Sequence, residues 1–439
     1  MRPPVVPCAF ITYAAPKYVT ALTGHHVRGE VCASPVVRRV DRWDVPPRYK
    51  LQQLIGSGAY GCVRAAYDIE LGRPVAIKRV NRLFDDLADA KRIFREVSIL
   101  SRLSHDSIVC LYDIPQPASL HTFNELYIVM EVCDSDLRKL CRSSITLTQQ
   151  HVSALLYNLL IGLKYIHSAG IIHRDLKPAN CLVNEDCSVK ICDFGLARQI
   201  EQGLPSSLKH LPSGELGAAL GPAELVPRTR RARLTQLAGH VTPWYCAPEL
   251  MLLQDHYTEA IDVWSVACIF AELLGTLPGT RVEERGPLFP GLPSAPLLPG
   301  SAPAAAEHDQ LSIIFDVIGS PSERDIETLD YDAARQYVRR FPSRRGEGFR
   351  KRFPLAGGDS ADLLDRMLRF NAAARFTVPD ALEHPLFLDV REASKEVEAG
   401  RRIRLELEKE PHLDEPLLRR YFCEQMALSR RHCSSRQGF

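Results

Sequence analysis

Residues 171–180 read "IIHRDLKPAN", and a second short motif, "KICDFGLAR", follows soon after. The first motif contains a carboxylate, Asp175, an ammonium group two positions later, Lys177, and the amide of Asn180. The second contains Asp193 directly before Phe-Gly. A carboxylate can accept a hydroxyl proton, an ammonium group can neutralise a phosphoryl group, and amide and carboxylate oxygens are ligands for Mg²⁺. Phosphoryl transfer from a nucleotide requires these groups, so the two motifs predict that chemistry.

A glycine-rich stretch with a lysine behind it lies upstream of these motifs. Its G-x-G-x-x-G pattern alone is weak, because a dinucleotide-binding turn has the same pattern. Such a turn opens a helix and expects an acidic residue about 20 positions later. Here the glycines join two strand-like runs, and Lys78 follows in "VAIK" with Glu96 as a candidate counter-charge. The stretch is therefore predicted to close over phosphates, and its residues are Gly56, Ser57, Gly58, Ala59, Tyr60, Gly61, Cys62 and Val63.

The distribution of strand and helix patterns predicts the fold class. From Tyr49 the chain reads as short β-rich runs with one amphipathic helix, and after Asp136 it becomes mostly helical. One long helix is expected to begin after Thr148 and to stop at Gly170. Strands followed by helices, rather than alternating with them, predict an α+β protein with a small β lobe and a larger helical lobe.

Composition excludes several classes of protein. Fifty-five basic and 53 acidic residues leave no bias toward nucleic acid or an anionic membrane. The 13 cysteines are scattered and lack paired C-x-x-C spacing, which favours a reducing compartment over a disulfide framework or a zinc site. Charges interrupt the apolar stretches, and no secretory signal is expected at the N-terminus. The chain is predicted to be cytoplasmic, with the nucleus open as a second location.

The ordered set of motifs resembles the eukaryotic protein kinases over roughly residues 49–388. The resemblance includes Asp262 in "DVWS" and Arg375 in "ARFTV". It implies that Asp262 supports the catalytic loop, that Arg375 pairs with Glu249, and that ATP and Mg²⁺ are the cofactors. With a lysine two positions after Asp175, the catalytic loop resembles that of the serine/threonine kinases rather than that of the tyrosine kinases.

A closer resemblance is to the mitogen-activated protein kinases (MAP kinases). It rests on "GPLFPG", "DQLSIIFDVIGSPSE", "ARQYVRRFP" and the C-terminal "DEPLLRRYFCEQMALSRR". It implies an inserted helical pair at 309–321 and a C-terminal extension that runs back onto the small lobe. Cyclin-dependent kinases lack that extension and remain an alternative. A scaffold of the same fold is a second one, although such pseudokinases usually lose a magnesium ligand, the lysine or the catalytic aspartate, and none is lost here.

The resemblance also divides the chain and outlines a nucleotide pocket. The expected parts are a poorly ordered extension at 1–46, a kinase domain at 49–388 with its lobes at 49–133 and 134–388, inserts at 201–234 and 287–308, and a C-terminal extension at 389–439. Met130 takes the gatekeeper position at the back of the pocket. The backbones of Glu131 and Cys133 face the adenine edge, and Cys192 borders the pocket as an inert thiol. The residues implied to enclose the adenine ring are Ile55, Val63, Ala76 and Leu182.

The activation segment departs from the family pattern in "TQLAGHVTPWYCAPE". The family switch is Thr-x-Tyr, and two arginines around Trp-Tyr hold the phosphotyrosine. Here no tyrosine stands two residues after Thr235, and Pro243 and Cys246 replace those arginines. The sequence thus predicts control by one phosphate on Thr235, held by Arg174 with Arg92 or Arg95, or partial constitutive activity.

Protein substrates and an upstream activating kinase are the implied partners, with no nucleic acid and no membrane. Without the arginine at Cys246, the demand for proline after the target residue should relax. Lys395 lies between the docking acids Glu392 and Glu396, so a basic docking peptide should bind less tightly. The Gly- and Pro-rich segments at 201–234 and 287–303 could bind partners with Pro-binding or acidic grooves, although solvated loops are the more common outcome.

Overall fold

The computed structural model describes residues 43–58, 61–200, 243–254, 258–292, 309–410 and 412–436. Several predicted features lie outside the described residues: 1–42 of the N-terminal extension, Ala59 and Tyr60 of the glycine-rich stretch, the 201–234 insert, Thr235, and 293–308 of the second insert.

The small lobe is a five-stranded antiparallel sheet with one helix packed on it. Its elements are β1 Tyr49–Gly58, β2 Gly61–Asp68, β3 Arg73–Asn81, α1 Leu87–Leu100, β4 Leu111–Asp113 and β5 Glu125–Met130. The strands lie in the order β1-β2-β3-β5-β4. In β3, Val75 and Ile77 are fully buried, and side chains alternate along a strand, so Ala76 and Lys78 lie on the opposite face. That face looks toward the predicted phosphate site.

The large lobe is mainly helical. Its short strands are β6 Ser135–Asp136, β7 Ile171–Ile172, β8 Cys181–Val183, β9 Val189–Ile191 and β10 Arg198–Gln199. Its helices are α2 Leu137–Arg142, α3 Gln149–Ser168, α4 Pro248–Met251, α5 Ala260–Leu274, α6 Gln310–Ile318, α7 Glu323–Glu327, α8 Asp332–Val338, α9 Phe349–Arg352, α10 Gly358–Met367 and α11 Val378–Leu382. No described helix has the length and apolar character needed to cross a membrane. The predicted α+β bilobal fold is confirmed.

The long helix α3 begins and ends where its sequence predicts. The Thr148 side chain accepts a hydrogen bond from the backbone amide of His151, and the His151 ring accepts one from the backbone amide of Thr148, which forms a capping box. After the helix, Gly170 takes a φ of +77°, a conformation that glycine adopts without strain. The next two residues enter β7, so this stop positions the start of the catalytic loop.

The C-terminal extension returns to the small lobe. Its last helix, α12 Glu415–Arg436, packs against α1. Leu418, Phe422 and Met426 join a core formed with residues of α1 such as Phe94 and Val97. The extension thus contributes apolar contacts to the helix that carries Glu96.

The expectation of a helical pair at 309–321 was wrong. The structure has a single helix there, α6, which the Asp309 side chain caps at its N-terminus. Gly319 ends it with a φ of +88°, and the following Pro321 cannot continue a helical ladder. The next helix, α7, begins only at Glu323.

Candidate active site

Lys78 and Glu96 form an ion pair between β3 and α1. The Lys78 ammonium lies 2.9 Å and 2.7 Å from the two carboxylate oxygens of Glu96. Burial favours the neutral amine, but the carboxylates of Glu96 and Asp193 outweigh it and raise the pKa of Lys78. Lys78 therefore stays cationic in a half-buried position beside Asp193, as a ligand for phosphate oxygens must.

A buried aspartate of α5 holds the catalytic loop. The two oxygens of Asp262 accept hydrogen bonds from the backbone amides of His173 and Arg174, each at 2.8 Å. Arg174 has a φ of +70°, which costs a residue with a side chain about 1–3 kcal/mol. Although burial opposes ionisation, the hydrogen bond from His167 and the backbone contacts lower the pKa of Asp262. A permanently charged Asp262 thus fixes the loop in a strained conformation.

The loop brings Asp175, Lys177 and Asn180 together. The Lys177 ammonium donates to Asp175 Oδ2 at 2.7 Å, and Asn180 Nδ2 donates to the Asp175 carbonyl oxygen at 2.8 Å. Burial raises the pKa of Asp175, while Lys177 opposes the shift. A carboxylate with a raised pKa is a stronger base toward a hydroxyl proton.

The buried neighbour Phe194 fixes the position of Asp193. The Phe194 side chain is fully buried, with its ring centroid 4.9 Å from that of His173. Asp193 itself has a φ of +65°. The Asn180 amide nitrogen is committed to Asp175, so the amide oxygen is the atom that can act as a ligand. Asn180 and Asp193 thus fit a Mg²⁺ ion that shares its coordination with phosphates.

The implied adenine pocket lies between the lobes. Ala76 pairs with Met130 across β3 and β5, and Val63 pairs with Gly56 across β1 and β2. Leu182, in β8, is half-buried, and Ile55 is exposed at the edge of the sheet. The contact of these residues with adenine stays a prediction.

One backbone donor of the implied pocket is already used within the chain. The Glu131 amide donates to the Cys110 carbonyl at 2.9 Å, so only the Glu131 carbonyl is left to face an adenine amino group. Burial raises the pKa of the Cys133 thiol to about 12 and that of the Cys192 thiol well above its usual range. Both thiols are therefore protonated at neutral pH, and Cys192 is the inert thiol that the sequence predicted.

The end of the activation segment is anchored in the large lobe. Glu249 accepts two hydrogen bonds from Arg375, at 2.8 Å and 3.1 Å, in a buried bidentate pair. The Tyr245 hydroxyl donates to Glu272 at 2.5 Å. Between these anchors Cys246 is buried, and burial raises the pKa of its thiol to about 12. The position at which the family has an arginine thus holds an uncharged side chain beside the catalytic loop.

The two docking acids already have partners. Glu392 accepts from Lys395 at 2.7 Å, and Glu396 accepts from Arg391 at 2.7 Å, with Lys164 at 3.5 Å. Only 7% of the Glu396 side chain is exposed. Weak binding of basic docking peptides by these acids stays a prediction.

Sequence reasoning missed one charged residue near the site. Glu408, in the C-terminal extension, accepts a hydrogen bond from Arg95 Nε at 2.8 Å. The two residues are 313 positions apart, and neither lies in a motif that indicates the contact. Arg95, one of the two helix arginines predicted to hold a phosphate, is therefore engaged within the chain.

Comparisons with known proteins agree with this site. Residues 49–286 match the protein kinase domain family. The chain is 40% identical over 344 residues to mitogen-activated protein kinase homolog NTF6 of Nicotiana tabacum, which covers 78% of this chain and 79% of that relative. It is 35% identical over 384 residues to mitogen-activated protein kinase 7 of Arabidopsis thaliana, covering 88% and 90%.

A third relative is longer than the matched region. The chain is 39% identical over 355 residues to extracellular signal-regulated kinase 1 of Dictyostelium discoideum, which covers 81% of this chain but 58% of that relative. The fold, the site and the family match define a protein kinase. The chain belongs to the MAP kinase family within it and is a serine/threonine protein kinase. Enzymes of this class use ATP, normally with Mg²⁺.

Proposed function

We propose that this kinase phosphorylates protein substrates with Asp175 as the base that accepts the proton of the target hydroxyl. The arrangement of the charged groups carries the proposal. Lys177 and Asn180 both bond to Asp175. Lys78 forms an ion pair with Glu96 and lies beside Asp193. When bound, ATP supplies the phosphoryl group and Mg²⁺ neutralises part of the phosphate charge.

The remaining roles follow from charge and position. Lys78 binds and orients phosphate oxygens, and its extended position depends on Glu96. Lys177 offsets negative charge on the transferring group while it holds Asp175. Asn180 and Asp193 would hold the metal. The facing glycine-rich ends of β1 and β2, with Gly56 and Gly58 on one strand and Gly61 on the other, would cover the phosphates.

The substrate specificity is proposed to be relaxed after the target residue, because Cys246 presents no guanidinium there. In a library of Ser/Thr peptides, the ratio of kcat/KM for proline over alanine at the following position should be low. Cys246→Arg should raise that ratio roughly tenfold, the size expected when one specificity contact is restored.

The ratio does not depend on how much protein folds, which matters because Cys246 is buried and arginine is large. Cys246→Ser, which keeps the volume and adds no charge, is the matched control and should leave the ratio unchanged. A native enzyme with a strict requirement for proline would refute the role given to Cys246.

Regulation is proposed to rest on one phosphate, on Thr235. Thr235→Ala should lower activity on a peptide substrate several-fold, because a phosphate brings nearly two negative charges near the arginines of the site. The segment 194–242 contains no tyrosine, so an upstream kinase should add its phosphate there to Thr235. A peptide-phosphorylation assay measures the activity, and phosphosite mapping by mass spectrometry locates the phosphate. Full activity of Thr235→Ala would leave constitutive activity as the surviving version of the proposal.

A further inference from the structure

Glu408 is surrounded by cations from two elements of the kinase core. Its Oε1 lies 2.6 Å from Arg95 Nη2 and 3.9 Å from Arg198 Nη1, and its Oε2 lies 3.3 Å from the Lys91 ammonium. Burial opposes ionisation, yet Arg95, Arg198 and Lys91 lower the pKa of Glu408 to about 2. The carboxylate is therefore charged throughout the working pH range.

The chain around Glu408 is fixed at several points. The Ile403 amide donates to the Ala169 carbonyl at 2.8 Å, and the Leu405 amide donates to Gln199 Oε1 at 3.1 Å. Leu407 is buried in the core that α1 shares with α12. These contacts place the carboxylate between α1 and the start of the activation segment.

Arg95 links this carboxylate to the catalytic centre. It directly precedes Glu96 in α1, its side chain is 3% exposed, and its Nη1 donates to the carbonyl oxygen of Gly195, two residues after Asp193. The positive charges of Arg174 and Arg92 act on the same guanidinium. A buried guanidinium without a counter-charge is strongly destabilising, so an anion is needed at this point for α1 to stay in place.

We propose that Glu408 is a positioning residue that supplies this anion from within the chain. Without phosphorylation, it maintains the ion pair between Glu96 and Lys78 and the position of Asp193. The sequence pattern assigned the helix arginines to a phosphate on Thr235. In the structure the C-terminal extension meets that need at Arg95. The phosphate on Thr235 then acts on the activation segment and substrate binding, while α1 is held already. This inference rests on the proposed function and gives a physical basis for partial constitutive activity.

The test compares full-length variants after treatment with a phosphatase, so that no phosphate can serve as the anion. Glu408→Gln keeps the shape and removes the charge. Its kcat should fall between about ten- and about a hundredfold, the equivalent of one hydrogen bond between charged groups, while KM for the peptide stays unchanged. Glu408→Asp should restore most of the activity. Glu406→Gln is the matched control, because Glu406 lies on the same turn and contacts only exposed Lys409 among the pairs described there; its kcat should equal that of the wild type.

The outcomes separate this inference from the proposed function. If phosphatase-treated wild type is inactive, the anion at Arg95 does not hold the site and the inference fails, while activity before the treatment still shows a kinase. A Glu408→Gln variant with wild-type kcat, or with a changed peptide KM only, also overturns it. Should Glu408→Gln fail to fold, the double variant Arg95→Gln/Glu408→Gln removes the guanidinium together with its anion and should recover the fold, because no buried charge is left without a partner. A double variant as unstable as Glu408→Gln counts against the proposal.

Discussion

Asp175→Asn should lower kcat by about 10²–10⁴-fold, the usual contribution of a general base. The asparagine has the shape of the aspartate and can keep the contact with Lys177, but it cannot accept the proton of the substrate hydroxyl. Burial raises the pKa of Asp175 and makes it a stronger base, but it cannot make the asparagine amide a base. KM for ATP should change little, since the role proposed for Asp175 is at the target hydroxyl and its described bonds are to Lys177 and Asn180.

Single-turnover phosphorylation of a peptide is the measurement for this variant, because it reports the chemical step without product release. Asp186→Asn is the matched control: Asp186 is exposed in the turn between β8 and β9, and its carboxylate caps the Ser188 amide. The control should keep the wild-type rate. An Asp175→Asn enzyme with that same rate would remove Asp175 from the mechanism.

Lys78→Met should lower kcat/KM by about 10²–10³-fold, the loss expected when one preorganised charge at the reacting group is removed. Methionine is similar in length but carries no charge, so phosphate oxygens lose their cation. Glu96 also loses its partner in a position where only 5% of its side chain is exposed. Glu96→Gln should therefore also lower kcat, because the ion pair that holds Lys78 in position is lost.

Lys50→Met provides the comparison for this pair, because Lys50 is exposed on β1 of the same sheet. Thermal unfolding of each variant, followed alongside the kinetics, separates a lost fold from a lost charge. Equal kcat/KM values for Lys78→Met and Lys50→Met would show that Lys78 does not bind phosphates.

Local patterns were enough to predict the architecture. The strand-like runs from Tyr49 and the capping residue Thr148 determine structure through neighbours a few positions away. The pattern at 309–321 misled, because a resemblance to two helices does not reveal that Gly319 turns the chain after one.

The site was predictable to the extent that its residues lie within short motifs. Asp175, Lys177 and Asn180 share one loop, so their spacing alone indicates that they meet. The Glu408–Arg95 pair could not be predicted, because it depends on how the C-terminal extension folds back over α1. The burial of Cys246 is likewise a product of packing, and its sequence neighbours do not show it.

The most direct test of the account is transfer of labelled γ-phosphate from ATP, with Mg²⁺, to a basic protein substrate, followed by identification of the labelled amino acids. The account predicts phosphoserine and phosphothreonine with the wild-type chain and almost no label with Asp175→Asn. A folded wild-type chain that binds ATP but transfers no phosphate, before or after treatment with an upstream kinase, would contradict it and favour a scaffold of the same fold.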